Sequence, residues 1–240
     1  MSYVSGFHHI TLCAGGAQED IDFFTRVVGQ RMIKQTVLFD GRYAHYHLYY
    51  SYANAEPGSV MTTFPYNRVP GRPGSGQVSS SAYTIPKGSV TFWEEHLDRY
   101  KVPHGGIQER FGQKYIRFSH PSGLQFDAIE EPADTRVGWV TGEIKSDTAM
   151  RGFSGTVLSV REVAETERFF GERLLGQAAA LAVTSVPDAS AVTKGAVTDP
   201  AAAAGRAVAA AAGTAHPPRA ASALRSAHQE SAIERPGAAP

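Results

Sequence analysis

The chain is poor in sulfur and carries no excess charge of either sign. Cys13 is its one cysteine in 240 residues. An internal disulfide is therefore excluded, which fits a reducing compartment such as the cytoplasm. Basic and acidic side chains number 23 each. With no long basic run, nothing argues for a nucleic-acid surface. The N-terminus lacks the charged-then-apolar layout of a secretory signal. The alanine run over 201–212 is interrupted by Gly205 and Arg206 and is too weakly apolar to span a membrane. Gly15-Gly16 is not followed by Lys-Ser/Thr, so it is no phosphate loop, and no Gly-x-Ser-x-Gly elbow or Cys/His pairing suggests covalent catalysis. The sharpest absence is positional. All 24 Phe, Tyr and Trp residues lie before residue 171, while 177–240 contains none and includes 24 alanines. Aromatic side chains dominate core burial, so this last stretch cannot build an ordinary core.

What is present reads as repeated strand–helix–strand–strand units. The segment Phe7–Cys13 alternates as a strand, with Phe7, His9, Thr11 and Cys13 on one face and His8, Ile10 and Leu12 on the other. One histidine can thus face a cavity while the other packs behind it. A helix is expected from about Glu19 to Val28, with Ile21, Phe24, Val27 and Val28 inward and Gly29 ending it. Strands follow at Met32–Phe39, Ala44–Tyr50 and Val60–Phe64, with Asp40-Gly41 as a hairpin turn. After a Pro/Gly-rich loop, a second unit comprises a strand Ser81–Ile85, a helix capped by Ser89 and reaching about Tyr100, and strands Lys114–Ser119 and Leu124–Ile129. A polar linker is expected over 131–149. A third unit opens with the strand Thr156–Val160 and the helix Val163–Leu175. When Phe169-Phe170 is laid over Phe23-Phe24, His9 falls opposite Gly155, as in a duplicated fold that keeps its ligand in one copy only.

The order of these segments carries a resemblance. His8-His9-Ile10-Thr11-Leu12-Cys13, Asp20-Ile21-Asp22-Phe23-Phe24, Tyr46-His47-Leu48-Tyr49, Met61-Thr62-Thr63-Phe64-Pro65 and Arg110-Phe111-Gly112-Gln113 together resemble the hydroquinone-type ring-cleaving dioxygenases. These belong to the vicinal oxygen chelate superfamily, with the glyoxalases, the bleomycin-resistance proteins and the extradiol dioxygenases. Each motif alone is weak; the five in order are specific. The resemblance spans about residues 5–176. It implies an α+β fold of tandem βαβββ modules, with curved, mostly antiparallel sheets forming a cup and helices outside. The expected layout is a two-module domain over 5–131, the start of a second domain over 150–176, and an Ala/Pro-rich, disordered segment over 177–240.

The resemblance also implies chemistry. In that group two His and one Glu hold a mononuclear Fe(II), with Mn(II) as an alternative, leaving adjacent positions for an aromatic diol and O2. By this resemblance His9 is a metal ligand, and His8 and Thr11 are catalytic residues beside it. The implied partners are a small aromatic diol, O2 and a further copy of the chain in a homo-oligomer. The other two ligands, which the family takes from its last module, have no counterpart here. His216, His228, Glu230 and Glu234 lie outside any apolar strand pattern. GC-rich coding sequence read out of frame produces such a composition, so the expectation is a frameshift after about residue 176, with a natural disordered tail as the alternative. Read from the residues alone, a buried hydrogen-bonded histidine competes with the ligand role of His9, and packing competes with the roles of His8 and Thr11. His45 and His47 share a strand face but fit packing or cavity lining better than a metal pair. Asp127 is a candidate partner of His9 if units one and two join. His120 reads as a turn residue and Cys13 as a small buried hydrophobe. Three functions follow: an Fe(II)-dependent dioxygenase opening a hydroquinone or catechol ring, impaired in this form; a metal-free aromatic-binding module whose cup is lined by Tyr46, Tyr49, Phe64 and Trp93; and a non-functional product exposing a large apolar sheet face.

Overall fold

The computed structural model describes residues 6–39, 41–66 and 74–170, together with the backbone of 182–185. The first sheet is built by β1 (His9–Ala14), β2 (Arg31–Phe39), β3 (Ala44–Ser51) and β4 (Val60–Pro65). Its order is β1-β4-β3-β2, with β1 parallel to β4 and the remaining pairs antiparallel. The second sheet repeats this order with β5 (Gln77–Ile85), β8 (Gln125–Glu130), β7 (Gln113–Ser119) and β6 (His104–Arg110), and β5 is again parallel to β8. It is extended by β9 (Phe153–Val160), antiparallel to β5, and by β10 (Ala182–Ser185), parallel to β9. The expected α+β fold of βαβββ modules is thus observed twice over, and β9 begins a third. Four residues of the stretch read as structureless form β10; the rest of 177–240 lies outside the described residues.

Each module has a first helix between its first and second strands. The helix α1 (Ala17–Asp22) runs into a π-helical turn over Phe23–Val27. That widened turn places Phe23, Phe24, Val27 and Val28 in the core together. In the second module α2 (Val90–Arg99) buries Val90, Trp93, His96 and Leu97. Glu130 accepts hydrogen bonds from Gly88 N and Val90 N, so a side chain from β8 satisfies the first turn of α2. In the third unit α3 (Val163–Arg168) is the described part of the expected helix.

Alternation along the strands decides which sheet faces are dry. In the first sheet Ile10, Leu12, Leu48, Tyr50 and Met61 point to the helix side and are buried. In the second sheet Tyr83, Ile85, Ile116, Phe118, Phe126 and Ala128 do the same. These two sets belong to one core. The junction between modules is aromatic: Phe23 lies 6.1 Å from Phe118 and 5.9 Å from Phe126, and Phe24 stacks on Tyr50 at 4.7 Å. The linker over 131–149 is not merely polar. Ile144 and Ala149, with Met150 just beyond them, enter the same core, and Trp93 Nε1 donates to Thr148 O at 2.8 Å. No helix among the described residues is long and apolar enough to cross a membrane.

Candidate functional site

With the helix side of the first sheet dry, its other face is the polar one. His9, Thr11 and Cys13 occupy this face of β1. Thr11 pairs with Thr62 on β4, Thr62 with Tyr49 on β3, and Tyr49 with Lys34 on β2, so the four form a row across the sheet. Thr62 Oγ1 donates to Thr11 Oγ1 at 2.9 Å. Next in line, Cys13 pairs with Phe64, and the His47 ring stacks on Phe64 at 3.9 Å. His47 Nδ1 lies 2.9 Å from the Tyr49 hydroxyl, and Lys34 Nζ sits 5.1 Å from the centre of the Tyr49 ring. The large apolar face anticipated from the sequence is therefore not this one, which carries His, Thr, Tyr and Lys. Two expected lining residues are also elsewhere. Trp93 is fully buried on the inner face of α2, and Tyr46 alternates to the opposite side of β3 from His47 and Tyr49.

His9 opens β1 and is solvent-accessible, as is His8. Their Nδ1 atoms are 2.9 Å apart and their rings meet edge-on at 5.1 Å. Two ring nitrogens at that distance share one proton. When His9 supplies it, His9 Nε2 keeps a lone pair for another partner, and His8 fixes that tautomer. Partial burial, and then the neighbouring His8, pull the His9 pKa below its ordinary value. His47 is lowered as well, by burial first and then by the fields of His9 and Lys34. Both imidazoles are thereby held toward the neutral form.

The other sequence candidates are committed elsewhere. The Asp127 carboxylate is fully buried and accepts from Arg117 Nε at 2.7 Å, Arg117 Nη2 at 2.9 Å and Arg110 Nη2 at 3.3 Å. Two guanidiniums consume it, so it is no partner for His9. Arg110 belongs to the Arg110-Phe111-Gly112-Gln113 turn, where Phe111 and Gly112 both have positive φ, at 55° and 71°. His45 lies 4.5 Å from Tyr66, ring to ring. His120 is not a simple turn residue but a buried one. Its ring contacts Phe23 at 4.5 Å, its Nδ1 accepts from Ser122 N at 2.9 Å, and its Nε2 faces Asp20 Oδ1 at 3.3 Å. Asp20 Oδ2 in turn accepts from Tyr50 at 2.7 Å and from Thr63 at 2.5 Å. The acidic doublet of Asp20-Ile21-Asp22 thus has a structural member, whose signal was the spacing that puts Asp20 on the inner face of α1.

The donor set decides how far a metal fits. Among the described residues no group of three His, Cys, Asp or Glu comes together to hold an ion. His9 supplies one imidazole with a free nitrogen; a lone imidazole binds a divalent ion weakly and fixes no geometry. The described residues therefore fit one corner of a metal site and not a complete one.

Comparison with known proteins gives the context. No family model matches the chain. It is 38% identical over 170 residues to the chlorohydroquinone/hydroquinone 1,2-dioxygenase of Sphingobium indicum, a match covering 69% of this chain and 53% of that protein. It is 41% identical over 154 residues to MhqO of Bacillus subtilis, assigned as a ring-cleaving dioxygenase, covering 64% of this chain and 49% of that one. A solved Bacillus subtilis structure assigned as a dioxygenase superposes with a TM-score of 0.66 at 36% identity, over 72% of this chain and 55% of the other. The chain spans about half the length of the curated relatives it matches.

Proposed function

We infer that this chain, which belongs to the vicinal oxygen chelate superfamily among its hydroquinone-type ring-cleaving dioxygenases, supplies the aromatic-diol face and one metal ligand of such a dioxygenase. The observation that carries this is the placement of His9. It stands with Thr11 on the polar face of a sheet whose other face packs Ile10, Leu12, Leu48, Tyr50 and Met61 into the core, and its Nδ1 lies 2.9 Å from His8 Nδ1. His9 is the ligand to Fe(II), with Mn(II) as the alternative. His8 holds its tautomer, and Thr11, hydrogen-bonded to Thr62, presents a hydroxyl beside it. When bound, the metal brings diol and O2 together so that the electron-rich ring can pass charge to O2 and a ring C–C bond beside a hydroxyl opens.

The repeat in the fold supports a site that needs more than these residues. In the second module β5 is flanked by β8 and by the antiparallel β9, whereas β1 is paired only with β4 among the described strands. A further strand beside β1 is where the remaining ligands belong. The chain alone is therefore expected to bind metal weakly and to turn over slowly. The test is oxygen uptake with hydroquinone after anaerobic loading with Fe(II). Uptake matched by ring-opened product, and lost in His9→Ala, supports the dioxygenase reading. Absence of uptake in the loaded chain removes it.

A second reading draws on the His47, Tyr49 and Phe64 rings that pack together on this face. On it, the same face is a metal-free binding module for planar aromatic ligands. Saturable binding of hydroquinone by iron-free protein, unchanged when Fe(II) is added, favours that reading.

A further inference from the structure

The modules repeat in a fixed register. The helices α1, α2 and α3 start at Ala17, Val90 and Val163, and His9, Ala82 and Gly155 each stand eight residues before that start. Alternation agrees, since Tyr83 and Ile85 take the inward places of Ile10 and Leu12. Ala82 and Gly155 are therefore the counterparts of His9. They lie directly opposite each other where β5 and β9, the first strands of the second module and the third unit, pair antiparallel. Beside them Ser81 meets Thr156, the counterparts of His8 and Ile10. A local two-fold axis thus passes through the Ala82–Gly155 pair.

The first strand of the first module has no such partner among the described strands, where β1 pairs only with β4. Gly58 N donates to His8 O at 2.9 Å and Tyr66 N to Ala14 O at 2.8 Å. Alternation then turns the peptide groups of His9 and Thr11 to the edge away from β4. That edge is unguarded. His9–Ala14 contains no Pro, Asp, Glu, Lys or Arg, and its register with β4 is unbroken. The opposite edge of the same sheet, β2, carries Arg31 and Lys34 and a register shift between Met32 and Lys34. The edge strand β6 carries Glu109 and Arg110 and a shift between His104 and Ile107. Charges and bulges of this kind keep sheet edges from pairing with one another. β1 has neither.

We propose that β1 pairs antiparallel with β1 of a second copy, His9 opposite His9, as β5 pairs with β9, and that one divalent metal ion takes an imidazole from each copy. Such a contact uses the same surface twice and closes as a dimer. Directly opposed residues hold their Cβ atoms about 5 Å apart on one face, so the two rings reach a common ion. A second imidazole supplies what a lone one lacks in affinity and geometry. The shared ion rests on the reading of His9 as a ligand; the strand pairing does not.

Two measurements on the full chain test this. The first is mild oxidation of His9→Cys and of Lys34→Cys, each in a Cys13→Ser background, read by intact mass. Opposed residues that exchange backbone hydrogen bonds have Cα atoms about 5.5 Å apart, which suits a disulfide. A covalent dimer is expected from His9→Cys and none from Lys34→Cys. Equal cross-linking of both, or of neither, overturns the strand pairing. The second is sedimentation equilibrium of wild type and His9→Ala, with and without Mn(II). At about ten times the dissociation constant of the ion, mass action is expected to tighten the wild-type dimer about tenfold and to leave His9→Ala unchanged, with one ion held per two chains. Ions held one per chain and lost in His9→Ala overturn the shared site and leave His9 standing as a ligand. Metal binding unaltered by His9→Ala overturns the ligand reading and the shared site together, and the cross-link still decides the pairing.

Discussion

Asp127 shows how burial decides what a carboxylate is for. It is fully buried between Arg117 and Arg110, and its hydrogen bonds to Arg117 push the Arg117 pKa up. Replacing Asp127 with Ala strands two cations at a dry surface. Breaking a buried pair this way costs about 3–5 kcal/mol. The lower end applies here, because the Arg117 side chain is one-third exposed and water screens it. Urea unfolding measures the loss, and hydroquinone binding by the folded fraction is expected to be unchanged. His96 titrates in a related way. Burial pulls its pKa below the ordinary value, against opposing help from the Val27 carbonyl and Glu143. The unfolded chain then takes up the His96 proton at a higher pH than the folded one. Stability contributed by neutral His96 is complete above the ordinary histidine pKa and is lost as pH falls through the lowered folded value. His96→Gln is expected to flatten the fall in stability as pH drops below the ordinary histidine value. Residual slope remains from His9 and His47, which are lowered in the same direction.

At the scale of elements, Gly29 ends the π-helical turn with φ +74°, and a Cβ there would meet Ile144 Cδ1 at 2.5 Å. Gly29→Ala therefore combines left-handed strain with overpacking, for an expected loss of about 2–4 kcal/mol, read from the urea midpoint. This contact also marks where sequence reasoning stops. Strands β1 to β5 and β7 to β9 were legible as short runs rich in β-branched and aromatic residues, bounded by turn residues. β6, absent from the sequence reading, offers only Ile107 among Gly105, Gly106 and polar side chains. Its strand state comes from pairing with β7, not from its own pattern. The widening of α1 into a π turn has no local signature either. His120 does open its turn, with Gly123 N donating to its carbonyl, but its burial against Phe23 and Phe24, nearly a hundred residues earlier in the chain, had no local signal. Ile144 and Met150 were hidden in a stretch of polar composition. The site was legible in part: alternation put His9, Thr11 and Cys13 on one face, and that face is the polar one. The pairing of His47 with Tyr49 could be suspected from their i, i+2 spacing, but the burial of His47 Nε2 could not.

At the scale of the molecule, one core joins two sheets whose polar faces look away from it. Phe23, Phe24 and the Asp20–His120 contact tie the first module to the β7–β8 hairpin, and Gly15 N donates to Ser122 Oγ at 2.8 Å. The modules are therefore expected to unfold as one unit. Native-state hydrogen exchange checks this: amides of β3–β4 and of β7–β8 are expected to share one opening free energy. Separate values would mean that the aromatic junction is weaker than its packing implies.

The same architecture places His9 on a strand that pairs only with β4 among the described residues, with its Nδ1 against His8. Histidine ring NMR of the full chain during addition of Mn(II) tests that placement most directly. His9 Nε2 is expected to broaden at the lowest metal concentration, followed by His8, with both effects lost in His9→Ala. Broadening centred on any other histidine, or unaltered by His9→Ala, would contradict it.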